Sequence, residues 1–440
     1  MSFSNIHSIL SALTLTMTLT MTTFMSCKKE KATTIETPWG DELNVGANAN
    51  DGASTKREEG GGGPLSLADL KKNGEIIMLT MTGPETYYDY HGHSMGAYYL
   101  LTEQLAKEIG VMVRVDICHS EEEMVKRLKD HEGDVIAYPL GNGKREMENG
   151  ESVSDGALMK VGAWYITKDN KEMAQAIESW YKPEMLTEAQ KDEVRIFSTP
   201  TVTRHVYPRM ISAERGEVST YDDYFKRYAP SAQMDWVMLA AQCYQESCFD
   251  PKAHSWAGAQ GLMQIMPSTA DHLGLPRNKM YDAESSIAAG ARLMGELQGM
   301  FKEIPNREER LCFALASYNG GYGHVKDAMA LAKKYGDDPH KWSDVKRYIL
   351  GLSQPQFYRD PVVRYGYIRG SETSNYVDYI MARHEQYRQA LATGKTVISE
   401  VKIKTTTLPD ISNMRNTDDG AYHSPMEGIP HRAAKKNKWR

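Results

Sequence analysis

The chain has no surplus of positive charge, little cysteine, little phenylalanine and no uncharged run of comfortable membrane-spanning length. Its 52 basic residues face 58 acidic ones, a net charge of −6. That balance argues against a nucleic-acid binder, which carries a basic stripe. The five cysteines match no zinc-ligand spacing, and no other cluster of ligand side chains stands out. No metal and no organic cofactor is therefore expected. Cys243 and Cys248 lie five apart around an expected helix end, where their side chains do not face each other. Cys118, Cys243, Cys248 and Cys312 read either as buried free thiols, Cys118 above all, or as partly paired in an exported protein. A Cys248–Cys312 bridge is one such option. Tyrosine, 25 against 8 phenylalanines, offers flat faces with hydroxyls that suit sugar rings as well as ordinary helix surfaces. A hydrophobic share of 41% and a charged share of 25% are those of a soluble globular protein, and 440 residues suggest two or three domains.

Residues 1–27 read as an export signal. Ile9 to Met25 is uncharged but short and rich in threonine for a spanning helix. It ends at Phe24-Met25-Ser26-Cys27, followed by Lys28-Lys29-Glu30. A small residue before a cysteine resembles a bacterial lipoprotein processing site, which makes Cys27 the lipidated new N-terminus and a membrane the partner of that end. Met1 to His7 lacks the usual Lys or Arg, and Phe24 and Met25 depart from the pattern, so a plain secretory signal is the alternative. Residues 28–65, closing in Gly60-Gly61-Gly62-Gly63-Pro64, show no apolar period and read as a flexible tether. Residues 396–440 read as a disordered tail with a basic end at Arg432, Lys435, Lys436, Lys438 and Arg440.

Between tether and tail lie two regions of different pattern. In residues 66–210 short apolar runs alternate with helical stretches. Strands are expected at Ile76–Leu79, Val111–Ile117, Asp134–Tyr138 and, as one strand, 158–167. Helices are expected at Ala97–Ile109, Glu121–Lys129 and 170–181. That order implies a mostly parallel sheet. It resembles the first lobe of the family 3 extracellular solute-binding proteins. Ala137-Tyr138-Pro139-Leu140 is followed almost at once by the closing strand, so most of a second lobe is missing. Without a second wall to close on a ligand, a regulatory or docking role is expected rather than solute capture.

Residues 211–395 carry helical periodicity at 232–247, 267–273, 285–301, 307–319, 322–335, 341–350 and 373–391. The first of these helices ends in Gln245-Glu246-Ser247, and Pro251 blocks its continuation. A carboxyl at a helix C-terminus sits at the negative end of the dipole, and apolar surroundings penalise its anion further. Both effects favour a protonated Glu246, a form able to donate to a leaving oxygen. Next come Gly261-Leu262-Met263-Gln264-Ile265-Met266-Pro267, then Ala316-Ser317-Tyr318-Asn319-Gly320-Gly321, then Glu372-Thr373-Ser374-Asn375-Tyr376-Val377.

These four blocks in this order resemble the family 1 lytic transglycosylases. Tyr322-Gly323-His324 and Trp342-Ser343-Asp344-Val345-Lys346 resemble a membrane-bound subfamily of them. The resemblance implies an α+β multidomain chain whose mainly α, lysozyme-like C-terminal domain follows a single solute-binding-like α/β lobe. It makes Glu246 the catalytic acid and base. Ser247, Met263, Gln264, Tyr318, Asn319, Glu372 and Tyr376 become residues of the sugar cleft, Gln264 and Tyr318 foremost. It implies peptidoglycan glycan strands as substrate, an outer-membrane lipoprotein facing the periplasm, and other cell-wall enzymes as possible partners. A hydrolysing muramidase would need a second carboxylate, for which Asp250 and Asp271 are near in sequence. A non-catalytic wall-binding or sensory lipoprotein is the rival outside the enzymes.

Overall fold

The computed structural model describes residues 33–36, 42–45, 63–141, 157–198, 202–396, 399–400 and 406–409. The leader with Cys27, and the basic end of the tail, lie outside the described residues. Within the stretch expected as a tether, β1 (Thr33–Glu36) pairs antiparallel with β2 (Glu42–Val45).

The N-terminal domain starts at α1 (Leu67–Asn73), whose Ser66 and Asp69 form a reciprocal capping box and whose end is Gly74 at φ 77°. Then come β3 (Glu75–Thr80), β4 (Tyr88–Tyr90), β5 (His93–Met95), α2 (Ala97–Ile109), β6 (Met112–Ile117), α3 (Glu121–Lys129), β7 (Val135–Ile136), β8 (Leu158–Val161), β9 (Trp164–Thr167), α4 (Lys171–Trp180) and α5 (Glu184–Ser198). The five-stranded sheet runs β6-β3-β7-β9-β8. Strand β3 is buried on both faces, as a central strand between helices must be. Ile76 and Met78 join the layer of α1, α2 and α4, while Ile77 and Leu79 join that of α3. Trp164, fully buried, gives its ring N–H to Thr102 Oγ1 at 2.8 Å, so its one polar atom is satisfied.

Two expectations need correction here. The sheet is parallel only at β3–β6 and β3–β7, because β9 returns antiparallel to β7. The expected single strand 158–167 is a hairpin, β8–β9, turning at Gly162 with φ 61°. The β4–β5 hairpin was not foreseen.

The C-terminal domain begins before residue 211. Strand β10 (Val202–Thr203) pairs with β11 (His254–Ser255), which ties 202–210 to this domain rather than to the preceding one. Its helices are α6 (Asp222–Ala232), α7 (Trp236–Ser247), α8 (Pro267–His272), α9 (Ala283–Met300), α10 (Arg307–Gly320), α11 (Tyr322–Lys334), α12 (Trp342–Gly351), α13 (Pro355–Tyr358) and α14 (Gly370–Thr393). Asp235 caps α7 through Met238 N–H. Val237 through Tyr244 are all buried, so α7 is apolar all round and forms the centre of the domain. Against it lies the 24-residue α14, whose Arg383 guanidinium stands 4.3 Å from the Tyr244 ring centroid. Cys118, Cys243, Cys248 and Cys312 are all buried free thiols, so the Cys248–Cys312 bridge is not formed.

Close packing of α6 on α9 gives a paired test. A Cβ at Gly295 would lie 2.1 Å from the Ser231 carbonyl oxygen, whereas one at Gly299 meets nothing nearer than Lys302 Cε at 4.0 Å. Gly295→Ala is expected to destabilise by about 1–3 kcal/mol through overpacking. Gly299→Ala is expected to stabilise by roughly 0.5–1 kcal/mol through lost unfolded-state freedom. Urea unfolding of both variants checks the opposite signs.

Candidate active site

Helix α7 stops abruptly because Cys248 and Phe249 both take left-handed backbone, at φ 52° and 63°. The Asp250 carboxylate, bonded to the His205 and Lys252 amides, holds the turn that follows. Arg204, delivered by β10, donates from Nη1 to the carbonyls of Gln245 (3.3 Å) and Glu246 (2.7 Å). Helix-end carbonyls that would otherwise lack partners are thereby satisfied.

Glu246 is half-buried on the lining of a cavity of about 450 Å³. Burial pushes its carboxyl up to about 7, against the pull of the Tyr376 hydroxyl and the charges of His91 and Arg204. The Tyr376 hydroxyl donates to Glu246 Oε1. Gln242 Nε2, fully buried in α7, donates to the Tyr376 oxygen at 3.2 Å, which leaves the phenolic proton for Glu246. Desolvation, reinforced by the nearby Glu246 charge, raises the Tyr376 and Tyr318 phenols far above their ordinary value. Both stay neutral donors.

The opposite wall is the loop 253–266. Gly261, at φ 76°, admits no side chain, since a Cβ would sit 2.1 Å from the Met280 carbonyl oxygen. Gln264 lines the cavity, but its Nε2 is spent on the carbonyls of Ala253 (3.1 Å) and Gly261 (2.9 Å). Its Oε1 has no hydrogen-bond partner among the described residues. Gln264 thus braces the loop and retains only acceptor capacity. The Tyr318 hydroxyl donates to the Met263 carbonyl at 2.6 Å, joining this loop to α10.

The structure brings Glu246, Gln264, Tyr318, Asn319, Glu372 and Tyr376 to one cavity. Asn319 accepts from Thr373 Oγ1 at 2.9 Å, which joins α10 to α14. Two expected cleft residues are corrected. Ser247 is fully buried and returns its hydroxyl to the Cys243 carbonyl at 3.1 Å, so it serves the helix rather than a sugar. Met263 is fully buried against Gly290 in the core. Neither Asp250 nor Asp271 lines the cavity; Asp271 is exposed and paired with Arg277. The second cleft carboxylate is Glu372. Burial alone would raise its carboxyl, but the bonds from His91 and Tyr90 and the nearby Arg369 hold it below the ordinary value.

Arg204, Trp256, Tyr90 and His91 also line the cavity and were missed in the sequence. Tyr90 and His91 come from the N-terminal domain, at the tip of the β4–β5 hairpin. A signal for it existed. Tyr88 and Tyr90 are buried and Asp89 exposed, and the turn His91-Gly92 has two positive φ values, 51° and 75°. Apolar alternation with X-Gly is a two-residue hairpin pattern.

Residues 223–341, within the C-terminal domain, match the family described as Transglycosylase SLT domain. In particular, the chain is similar to proteins named Membrane-bound lytic murein transglycosylase F. It is 42% identical over 158 residues to that of Desulfosudis oleivorans, covering 36% of this chain and 34% of the relative. It is 38% identical over 231 residues to that of Marinobacter nauticus, covering 52% of this chain and 42% of the relative. The matched portion is less than half the length of these relatives. Among solved structures, the arginine-bound domain 1 of TmArgBP aligns with 29% of this chain and 99% of that one, at 14% identity and a TM-score of 0.23. The family match ends at residue 341, before α14; Glu372 and Tyr376, expected from the resemblance, line the same cavity.

The raised Glu246 carboxyl has a consequence for stability. Between its ordinary value of 4.5 and about 7 the folded protein holds a proton that the unfolded chain has lost. Stability from this group is therefore full below the lower value and lost as pH rises through the upper one. Glu246→Gln should melt above wild type at about pH 8, with the gap shrinking toward about pH 5. Melting curves across that range with an unchanging gap would contradict the assignment.

Proposed function

We propose that the chain is a peptidoglycan lytic transglycosylase that cleaves the β-1,4 bond between MurNAc and GlcNAc without water, leaving 1,6-anhydroMurNAc ends. The observation that carries this reading is a single half-buried carboxyl, raised to about 7, in a cleft built by the SLT-type domain. A proton shared near neutral pH suits a group that must act as acid and then as base. Protonated Glu246 gives its proton to the glycosidic oxygen as the C1–O bond breaks, and GlcNAc leaves as an alcohol. The resulting carboxylate takes the proton of the MurNAc 6-hydroxyl as that oxygen bonds to C1. Glu246 ends protonated, and the atoms balance without water. The tethered hydroxyl replaces a positioned water through its high effective concentration. Tyr376, neutral throughout, donates to the carboxylate stage and keeps the carboxyl oriented.

Hydrolysis by two carboxylates is the reading to set beside this one, because Glu372 shares the cleft. Its Oε1 is already taken by the Tyr90 hydroxyl at 2.7 Å and approached by His91 at 3.7 Å. Its Oε2 faces Arg369 at 3.7 Å. A carboxylate so engaged is poorly placed to activate water, which favours ring closure. The relatives' names place them at a membrane and on murein. By that analogy, and with lipidation at Cys27, the protein works in cell-wall turnover from an anchor in the envelope, on the periplasmic face of the outer membrane. The single α/β lobe then serves for regulation or for docking other wall enzymes.

Mass spectrometry of sacculus digests should show anhydro ends from wild type and a roughly 10²–10⁴-fold slower release from Glu246→Gln, the usual worth of a general acid–base. Reducing ends would establish hydrolysis instead. Tyr376→Phe removes a donor to the carboxylate, so the Glu246 carboxyl rises further. The alkaline limb of the kcat/KM profile should move to higher pH as kcat falls. An unmoved limb would show that Tyr376 does not act through Glu246.

A further inference from the structure

The β4–β5 hairpin reaches out of the N-terminal domain and crosses the catalytic groove from wall to wall. Its register is Tyr88↔Met95, Asp89↔Ser94 and Tyr90↔His93, closed by His91-Gly92. The base is anchored outside the groove. Tyr88 donates to Glu193 Oε1 of α5 at 2.6 Å and sets its ring edge-on to Tyr367 at 5.0 Å. A Cβ at Gly96, just past the hairpin, would lie 2.6 Å from the Thr86 carbonyl oxygen, so the exit is tightly packed. The tip touches both walls. On the α14 side, Tyr90 donates to Glu372 at 2.7 Å and lies under the Arg369 guanidinium at 5.8 Å. On the β11 side, His93 Nε2 bonds the Ala257 carbonyl at 2.7 Å, and Tyr90 stacks on Trp256 with centroids 5.8 Å apart and planes 2° from parallel.

This strap divides the groove. On one side lies the cavity of about 450 Å³ that holds Glu246. On the other lies one of about 290 Å³, lined by Gly321, Tyr322 and Tyr365. The two share Met266, Thr269, Tyr318, Asn319 and Glu372, and Tyr90 and His91 line both. An open groove would let a polymer lie through it at any internal bond. A groove closed by a hydrogen-bonded strap accepts a chain that terminates there, because a continuous strand would have to pass through Tyr90 and His91. A short turn with both residues at positive φ is a stiff one, suited to a stop.

We propose that the Tyr88–Met95 hairpin is a specificity element that makes the enzyme cut from the end of a glycan strand, by stopping the strand a short distance from Glu246. The proposal rests on the transglycosylase reading. It gives the N-terminal lobe a direct part in the site: Tyr90 and His91 fix where the strand ends, and the lobe's packing on α14 fixes where they stand.

The test uses full-length protein and long, peptide-free glycan strands, with products sized by chromatography and identified by mass spectrometry at low conversion. Wild type should release small anhydro-ended products while the remaining strands stay near full length. The variant Tyr90→Ala/His91→Gly/His93→Ala should release fragments of intermediate length and shorten the remaining strands sharply. If that variant melts early, Tyr90→Phe/His91→Gly/His93→Ala, which removes the Tyr90 and His91 contacts to Glu372 and the His93 bond to Ala257 and keeps the ring at position 90, carries the same comparison. Intermediate fragments from wild type, or unchanged small products from a folded open variant, would overturn the strap. Reducing ends in place of anhydro ends would overturn the transglycosylase reading instead, and the fragment lengths would still decide on the strap.

Discussion

The contact between the Tyr376 hydroxyl and the Glu246 carboxyl is the interaction around which the C-terminal domain is arranged. It joins α7 to α14 across 130 residues of sequence. Gln242, one turn before Glu246 on α7, sets the phenol's proton. Burial of both partners makes the bond matter. Burial on the cavity wall penalises the Glu246 anion, and the Tyr376 hydroxyl pulls the other way. A carboxyl balanced in this way can give and retake one proton during a single turnover.

The surrounding structure keeps that balance from being disturbed. Arg204 covers the end of α7 by hydrogen-bonding its last carbonyls, and its charge draws the Glu246 carboxyl down only in part against burial. The Tyr318–Met263 and Gln264–Ala253 bonds tie the facing loop down, so the far wall of the cavity is fixed. Glu372, which could have offered a second reactive carboxylate, is tied instead to the N-terminal domain through Tyr90 and His91. One feature, the β4–β5 hairpin, thus occupies the competing carboxylate and closes the groove.

Much of this was legible in the sequence, for identifiable reasons. Helix α7 announced itself through an apolar run ended by Pro251, and Glu246 through its place at that end together with the three later blocks that carry the family resemblance. The long helices from α9 onward have strong periods, and their observed bounds lie within a few residues of the expected ones, whereas α7 starts at Trp236 behind its Asp235 cap rather than at 232, and no helix was expected at α6. What was not legible depended on partners distant in the chain. Ser247 and Met263 sit beside true cleft residues in sequence, but a helix or loop turns adjacent side chains to opposite sides, and these two face the core. Gln264 differs from its expected role because its amide nitrogen is spent on the backbone carbonyls of Ala253 and Gly261. Arg204 was assigned to the wrong domain because two-residue strands such as β10 leave no periodic trace. The hairpin tip carried a turn signal, yet nothing in Tyr90 or His91 could show that their partner was Glu372, 282 residues from Tyr90.

The central claim is that burial between α7 and α14 keeps Glu246 protonated near neutral pH. Its most direct test is a carboxyl-carbon NMR titration of glutamate-labelled protein, with Glu246→Gln used to assign the resonance. The account predicts a midpoint near the value of about 7 that the site's burial implies. A midpoint at the ordinary 4.5 would contradict it.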